Sequence, residues 1–404
     1  MEASTPVSQV ARPAHVPAAH VYDVDIYSLP GLEKGYHWAW KAIQDSGAPD
    51  IIWTPRNGGH WIATRGELLR KVFLDPVTFS NRVIFVPKEV GEQNNLAPGT
   101  TDPPLHREYR GLIGVGLAPR TIDALAPTIR ERTIELIEGL KPQGRCNFTE
   151  EFAERLPVHV FMNMCRLPIE DAPMIKSWVD KINRPDGSAT VKELIDLLVG
   201  YIAPVIDARA GKASGDLISD IANGSVKGRD LDASEKARVA AQVLVAGVDT
   251  VVNMLAFVLL HMAKHPEHRR ELIERPELLP NAVEELLRRH PIVADSREVT
   301  KDVELAGVQL KAGDMIVLPT ALHGLDDREN KCPMQVDFHR TENNHSTFGN
   351  GIHKCAGAYL ARTEIRIVLE EWLARIPEFR ITKEPQQLSG VIAALSDLSL
   401  AWDV

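Results

Sequence analysis

The four cysteines of this 404-residue chain are too few and too widely spaced for a disulfide framework. Cys146, Cys165, Cys332 and Cys355 include no Cys-x-x-Cys pair, which also argues against a zinc ribbon. Positive charge is in deficit as well, since 46 Lys and Arg residues against 55 Asp and Glu residues give a formal net charge of -9. A general nucleic-acid binder carries the opposite balance. We therefore predict a cytoplasmic protein that binds no nucleic acid and meets any anionic partner through a local basic patch.

The sequence has no internal repeat, no apolar leader behind a basic start and no linker rich in Pro, Gly and Ser that would divide the chain. Residues 1–30 are predicted as a flexible N-terminal arm, because the first part of this segment is rich in Pro, Ala, Ser and His. Residues 31–404 are predicted as a single domain, although length alone would allow two or three. We expect this domain to be a monomer.

Most of the chain has the hydrophobic periodicity of helices, with only short strand signals. Bulky residues at 51–54 and 60–64 flank a turn with the sequence Asn-Gly-Gly, which predicts a β-hairpin. A second hairpin is expected within residues 303–318, where apolar residues surround the turn at 311–314. These signals predict a mostly α fold with small β-sheets, which is an α+β class.

The longest predicted helix begins after Asp232, which with Glu235 resembles a capping box, and ends before Pro266. Residues 239–262 are apolar on nearly every side, which would also suit a membrane span. An Asp at the centre of such a span is costly in lipid, so we predict no membrane and place the helix in the core of a globular protein. The polar residues that interrupt the apolar stretch are Gln242, Asp249, Thr250 and Asn253.

The strongest chemical signal is residues 348–357, Phe-Gly-Asn-Gly-Ile-His-Lys-Cys-Ala-Gly, followed at once by a helical pattern over 359–375. The glycines allow a tight turn and the close approach of a flat partner. Cys355 stands where the helix begins, and the free N–H groups and helix dipole there favour a thiolate. One alternative is a buried structural cysteine, against which the glycine spacing before the helix argues. The other is a zinc site with His353, but no second ligand pair has finger-like spacing and the other cysteines are remote in the sequence.

The pattern Phe348-x-x-Gly351-x-x-x-Cys355-x-Gly357 resembles the haem-binding loop of the cytochrome P450 monooxygenases. Two further segments fit that family. They are Glu285-Leu-Leu-Arg288, which lies 70 residues before the cysteine, and Ala246-Gly247-Val-Asp249-Thr250 in the long helix. From about Gly35 to the C-terminus the chain is similar to the bacterial camphor-hydroxylating branch of the family.

This resemblance implies a cytochrome P450 fold with haem b between the long central helix and the helix of the cysteine loop. It implies that Cys355 is the axial iron ligand through its thiolate. It further implies that Glu285 and Arg288 form a structural ion pair, and that Phe348, Gly349, Ala246 and Gly247 contact the haem.

Asp249 and Thr250 are the candidate catalytic residues. A Thr inside a helix commonly bonds the carbonyl four residues back, here that of Ala246, and this alone would explain a lone Thr. A neighbouring acid inside a dry helix is harder to explain without function. The resemblance implies that the acid and the alcohol deliver protons for the reduction of dioxygen, with Lys176 and Arg184 as partners of the acid.

A haem carries two carboxylates, so its site needs cationic or hydrogen-bonding side chains. The positions that the resemblance implies for this role are Arg110, Arg297 and His353. His106, one helical turn before Arg110, is a fourth candidate.

Matching the camphor branch residue by residue predicts an apolar cage for a compact hydrophobic molecule. Asn94 stands where that branch has a Tyr that hydrogen-bonds the ketone, and Gln242 replaces a Leu. We therefore predict a terpenoid or norisoprenoid substrate, such as an ionone-like ketone, with camphor as a poor one. The predicted pocket residues are Phe85, Asn94, Gln242, Val245, Ala246, Val293, Asp295, Val391 and Ile392.

Three other functions stay open from the sequence: a camphor hydroxylase proper, a peroxide-driven peroxygenase and a non-catalytic haem or apolar-ligand binder. The chain has no dinucleotide-binding fingerprint after a strand and no cysteine set for an iron–sulfur cluster. The resemblance implies that electrons come from a [2Fe-2S] ferredoxin and its flavin-dependent reductase. We predict that Arg107, Arg110 and Lys354 form the face that attracts an acidic ferredoxin.

Overall fold

The computed structural model describes residues 9–212 and 215–404. Helices dominate this part of the chain, and the short strands gather into one larger and four smaller sheets, which confirms the predicted fold class. The α-helices are α1 Tyr36–Asp45, α2 Gly66–Leu74, α3 Lys88–Glu92, α4 His106–Gly114, α5 Pro119–Leu140, α6 Leu156–Met164, α7 Ala172–Asn183, α8 Val191–Arg209, α9 Leu217–Ala222, α10 Ala233–Val248, α11 Thr250–Lys264, α12 Pro266–Glu274, α13 Leu279–Arg289, α14 Ala321–Gly324 and α15 Ala358–Arg375.

The largest sheet has five strands in the order β1-β2-β10-β7-β3. Its β1–β2 hairpin is the one predicted from the sequence, with Ile51 paired to Ala63 and Thr54 to His60. The strands are β1 Ile51–Thr54, β2 His60–Ala63, β3 Phe79–Ser80, β4 Arg145–Asn147, β5 Ser225–Val226, β6 Arg229–Asp230, β7 Ala294–Val299, β8 Val303–Leu305, β9 Val308–Leu310, β10 Met315–Pro319, β11 Arg380–Ile381, β12 Gln387–Leu388, β13 Ala394–Leu395 and β14 Ser399–Ala401.

The second predicted hairpin is shorter than expected. Strands β8 and β9 pair across a two-residue turn in which Ala306 and Gly307 both have positive φ, at 50° and 78°. Strand β10 does not extend this hairpin, because it runs between β2 and β7 in the large sheet. Asp314 holds the turn before β10 by accepting hydrogen bonds from the Lys311 N–H and the Trp61 indole, each at 2.9 Å.

The prediction of a flexible arm over residues 1–30 is wrong for residues 9–30. Val16, Val24, Ile26 and Leu29 are buried in the core, and the Tyr22 N–H donates to the carbonyl of Trp53 at 2.8 Å. The Pro- and Ala-rich composition hid these apolar anchors because they follow no helical or strand period. Residues 1–8 lie outside the described part of the chain.

The long central helix follows the predicted path but is interrupted at Asp249, which separates α10 from α11. Its N-terminus has the predicted capping box between Asp232 and Glu235. At the interruption, the Thr250 hydroxyl donates to the carbonyl of Ala246 at 3.0 Å and the Asn253 amide to that of Asp249 at 2.9 Å. Side chains that bond carbonyls in this way bend helices. Residues 233–264 have the length and apolarity of a membrane span, but 78% of their most apolar window is buried inside the fold.

Glu285 and Arg288 form an ion pair with no solvent exposure, at 2.6 Å between Oε2 and Nε. Arg288 also donates to the carbonyls of Gly324 and Pro333 at 2.6 and 2.7 Å, and Arg340 contacts the same Glu285 oxygen at 3.0 Å. The pair therefore ties helix α13 to the loops that lead into the segment 348–357. It positions that segment without being part of it.

Candidate active site

The cysteine loop folds back on itself before helix α15. The Cys355 N–H donates to the carbonyl of Phe348 at 2.8 Å, and the Gly349 N–H donates to that of Ser346 at 2.8 Å. Gly351 has a φ of 69°, and a Cβ at this position would lie 2.8 Å from the carbonyl oxygen of Phe73. Both the backbone conformation and the close contact require glycine there. The ring of Phe348 packs under the guanidinium of Arg362, 4.5 Å from the ring centroid.

Cys355 is exposed to solvent, although neighbouring protein atoms desolvate its thiol. Burial raises the pKa of its thiol, while the backbone N–H of Gly357 and the charge of Arg110 lower it. The helix N-terminus favours the thiolate as predicted, through the N–H groups of Gly357 and Ala358, but burial outweighs this effect and leaves the pKa above its usual value. The lone thiol is poised for a metal ion, since coordination deprotonates a thiol outright.

Positive and hydrogen-bonding groups converge beside this loop. The rings of His106 and His353 lie 4.1 Å apart, and within residues 9–212 and 215–404 neither Nε2 atom has a hydrogen-bond partner although both are buried. Burial lowers the pKa of His353 to about 3, with further lowering by the charges of His106, Arg297 and Arg110. Several cationic side chains lie together here with two buried ring nitrogens that lack partners. Such a cluster suits a ligand with two negative charges.

The two arginines of this cluster are held in place by backbone carbonyls. Arg110 donates to the carbonyl of Lys354, and burial lowers the pKa of Arg110 while the charge of Cys355 raises it. Arg297 is buried, donates to the carbonyl of Ser296 at 2.6 Å and lies 2.9 Å from Asp295. Its guanidinium also stacks over the ring of Phe73 at 5.0 Å. All four predicted propionate ligands thus lie around the cysteine loop or on the strand that faces it.

Asp249 is fully buried between two cations. Arg184 contacts its Oδ2 and Oδ1 atoms at 3.0 and 3.1 Å, and the Lys176 ammonium lies 3.2 Å from Oδ1. Burial raises the pKa of Asp249, but Arg184 and Lys176 outweigh it and hold the pKa below its usual range. The structure thus brings together the acid and both partners named from the sequence.

Three further members of this cluster were not predicted. Asn183 donates to Asp249 at 3.0 Å, Asn253 donates to it at 2.7 Å, and Asp180 hydrogen-bonds both Lys176 and Arg184. Burial and the charge of Asp249 raise the pKa of Asp180 to about 7. The signal for Asp180 was present, because it lies four residues from both Lys176 and Arg184 and so shares their helix face.

The small residues of α10 serve two different purposes. Ala246 is exposed, and its carbonyl accepts the Thr250 hydroxyl. A Cβ at Gly247, however, would lie 2.3 Å from the ring of Phe161 on α6. The missing side chain of Gly247 therefore allows α6 to pack closely, and the open groove predicted at this position rests on Ala246 alone.

The predicted pocket residues fall into two groups. Val293 forms a β-bridge with Ile392, and the carbonyl of Val391 accepts the Ala294 N–H at 2.9 Å. Arg184 also donates to the Ile392 carbonyl at 3.0 Å, which links this wall to Asp249. The second group comprises Phe85 and Asn94, both buried in the segment 85–94, and Gln242 and Val245 on α10.

The predicted partner-binding face is only partly exposed. Arg107 and Lys354 are open to solvent, whereas Arg110 is half-buried and turned to the cysteine loop. Arg110 therefore belongs to the cationic cluster around His353 more than to the outer surface. The face retains two of its three predicted cations.

A mostly helical fold with a lone cysteine before a helix and a cationic cluster beside it defines the haem-thiolate class. Residues 172–388 match the sequence profile described as cytochrome P450. The chain is 33% identical to the probable cytochrome P450 127A1 of Sinorhizobium fredii over 96% of both chains. It is 31% identical to the mycinamicin IV hydroxylase/epoxidase of Micromonospora griseorubida over 86% of this chain and 89% of the relative.

Two solved structures resemble the whole fold. The crystal structure of CYP101J2 has a TM-score of 0.89 and 42% identity, and that of CYP101C1 a TM-score of 0.89 and 38% identity. Each match covers 98% of this chain and 100% of the other. The chain belongs to the cytochrome P450 family and is a monooxygenase.

The family's cofactor is haem b, and the residues of this chain fit it. Cys355 offers the sulfur ligand, while Arg110, Arg297, His106 and His353 offer charge and donors for two propionates. When bound, the haem iron supplies the oxidation chemistry that the side chains lack. The chain itself supplies the hydrogen-bonded network around Asp249 and the hydroxyl of Thr250.

Proposed function

We propose that this monooxygenase hydroxylates a compact terpenoid or norisoprenoid, such as an ionone-like ketone, and that camphor is a poor substrate. It uses O2 and two electrons from a [2Fe-2S] ferredoxin that a flavin-dependent reductase supplies. The enzyme works in the cytoplasm as a monomer. The observation that carries this proposal is the arrangement of Asn94 and Gln242.

Asn94 is held away from the role of the phenol that holds a ketone in the camphor branch. Its side chain is buried, and the amide nitrogen donates to the carbonyl of Val90 at 2.6 Å within the same short segment. This bond uses one of the two amide hydrogens and fixes the side chain against its own backbone. We therefore place the polar anchor elsewhere in the pocket.

Gln242 is the side chain that takes this role. Its Oε1 is buried without a hydrogen-bond partner within residues 9–212 and 215–404, and it would lie 2.7 Å from a Cβ at Gly99. Gln242 thus stands against the loop that follows Asn94. On α10, Val245 and Ala246 are three and four residues further on, so all three share one helix face. The Nε2 hydrogens of this amide can donate to a substrate ketone, whereas Oε1 can only accept, and a side chain that makes such a bond rejects an analogue without the oxygen.

Apolar residues form the rest of the cage. Phe85, Val245 and Ile392 are buried, and Val293 and Val391 are partly buried beside them. Such a lining selects by shape, and one added or missing methylene changes affinity by about 1–3 kcal/mol. A compact carbocyclic ketone suits a cage with one amide anchor.

The test is a titration of the haem spin state with an ionone, with the matching hydrocarbon that lacks the ketone, and with camphor. We expect the ionone to bind most tightly. Gln242→Leu should weaken ionone binding about 10-fold, worth about 1.4 kcal/mol, and leave the hydrocarbon unchanged. Gln309→Leu on the exposed face of β9 is the matched control. Tight camphor binding without a response to ionones would overturn the proposed substrate.

A further inference from the structure

Three histidines meet at the junction of α11 and α12, away from the cysteine loop. His261 lies in the last turn of α11, His265 lies between the two helices, and His268 lies in the first turn of α12. One nitrogen of each ring falls within 4.8 Å of a nitrogen of the other two. The His-x-x-x-His spacing of the first pair is one that places both rings on one side of a helix end, as in zinc sites.

We propose that His261, His265 and His268 bind a divalent transition-metal ion of the Zn²⁺ type. The Nε2 atom of His261 lies 2.9 Å from Nδ1 of His268. In a tetrahedral site with metal–nitrogen bonds of about 2.0–2.1 Å, ligand nitrogens are about 3.3 Å apart. Replacing the shared proton by a metal ion therefore requires these two rings, which now lie 15° from parallel, to move apart by a few tenths of an ångström and to turn so that both lone pairs point at the ion.

The surroundings of the three rings are those of a metal site. Nδ1 of His265 lies 2.8 Å from a carboxylate oxygen of Glu267, which leaves its Nε2 for a metal ion. Metal-binding histidines commonly donate their second nitrogen to a carboxylate in this way. His290 packs against His261 with ring centroids 5.1 Å apart, and Phe338 packs against His268 at 4.9 Å. These contacts pack two of the rings against protein on one side.

Access and protonation also suit metal binding. The His265 side chain is 41% exposed, so an ion can enter from solvent, whereas His261 is buried. Burial lowers the pKa of His261 well below its usual range and lowers that of His268. A lowered pKa favours the neutral ring, whose lone pair is the one that a metal ion binds.

The ion would connect two helices across the break at Pro266. Because such a site forms only in the folded chain, metal binding stabilises the fold by mass action. Thr250 lies eleven residues before His261 on α11, which is about 16 Å along the helix axis. We expect the ion to have a structural role and to leave oxygenation unchanged.

The experiment is calorimetric titration of the haem-loaded, tag-free protein with ZnCl2, in a Cys332→Ser background because Cys332 is an exposed thiol that also binds zinc. We expect one site per chain and an increase in the thermal midpoint with zinc. His265→Ala should weaken zinc binding at least 10-fold, and Glu267→Gln should weaken it several-fold. His159→Ala on α6 is the matched control and should bind zinc like the parent.

The variants distinguish the site from incidental binding. His265 is partly exposed, so His265→Ala should retain the haem spectrum and the midpoint without zinc, and a loss of zinc binding then reports the site. An anomalous difference map at the zinc edge should place the ion between the three rings. The proposal is overturned if the parent binds no zinc, if His265→Ala binds zinc as tightly as the parent, or if the ion lies elsewhere.

Discussion

Arg184 holds Asp249 through both terminal nitrogens of its guanidinium, at 3.0 Å to Oδ2 and 3.1 Å to Oδ1. The same side chain donates to the carbonyl of Ile392 at 3.0 Å. One residue therefore orients the acid in the central helix and supports a wall of the proposed substrate pocket. Loss of the acid and loss of the arginine should have different consequences.

Asp249→Asn keeps the volume of the side chain but removes its charge. We expect substrate-driven turnover to fall about 100-fold, with an increased solvent deuterium isotope effect, because positioned proton transfer contributes at least that much. Substrate affinity in the spin-state titration should stay the same. Arg184→Lys, which cannot bridge both partners, should lower turnover and also weaken substrate binding.

Asp196→Asn on the exposed face of α8 is the control for these variants. If Asp249→Asn turned over at the parent rate, the buried acid would have no part in proton delivery. If Arg184→Lys changed turnover alone, its link to the Ile392 wall would have no effect on the pocket.

The turnover rate should depend on pH through the titration of Asp180. Burial and the charge of Asp249 raise the pKa of Asp180 to about 7, so its carboxyl is protonated below this pH and ionised above it. If this proton feeds the network, turnover falls as the pH rises through 7. In Asp180→Asn the group no longer titrates, and the profile between about pH 6 and 8 should be flat. If turnover in this variant still fell through pH 7, another group would be responsible for the titration.

The ferredoxin face can be tested at Arg107, which is exposed and outside the cationic cluster. Arg107→Glu reverses one charge where an acidic partner would dock. We expect the rate of reduction by ferredoxin to fall several-fold at low salt and its salt dependence to weaken, because rim charges act mainly on association rates. Arg380→Glu, on strand β11, is the matched control. Equal reduction rates in both variants would remove Arg107 from the docking face.

The sequence predicted local features well and long-range contacts poorly. The Asp232 capping box, the β1–β2 hairpin and the glycine turn before Cys355 each depend on residues close in the chain. Arg340, which contacts Glu285 from 55 residues away, carries no local signal. The anchoring of residues 9–30 likewise depends on distant partners, because Tyr22 bonds the carbonyl of Trp53.

Within the site, the sequence suggested which residues matter but not what each one does. Gly247 fits the family pattern, yet its missing side chain accommodates Phe161 from another helix. The pKa of Cys355 follows from burial, which neighbouring residues in the chain do not reveal. The interruption of the central helix at Asp249 depends on Asn253 and Thr250, which sit among strong helix signals.

The Glu285–Arg288 pair should be important for stability. Glu285 is fully buried and accepts from Arg288, from Arg340 and from the Asp337 N–H. Glu285→Gln leaves the buried Arg288 and the partly buried Arg340 without their counter-charge, and removing one partner of a buried pair costs about 3–5 kcal/mol. Urea unfolding followed by circular dichroism should show this loss, while Glu277→Gln at the surface should show none. A loss below 1 kcal/mol would mean that the carbonyl contacts alone hold Arg288.

Glu364 on α15 should make the protein less stable at alkaline pH. The side chain is 1% exposed, and burial alone raises its pKa from 4.5 to about 8. Between these values the folded chain retains a proton that the unfolded chain has lost, so the free energy of unfolding falls as the pH rises from 4.5 to about 8. Glu364→Gln should unfold like the parent at about pH 5 and be more stable by on the order of 3 kcal/mol above about pH 8. Glu342→Gln, at an exposed position, should follow the parent at both pH values. If Glu364→Gln kept the parent's fall in stability with pH, another buried group would be responsible for it.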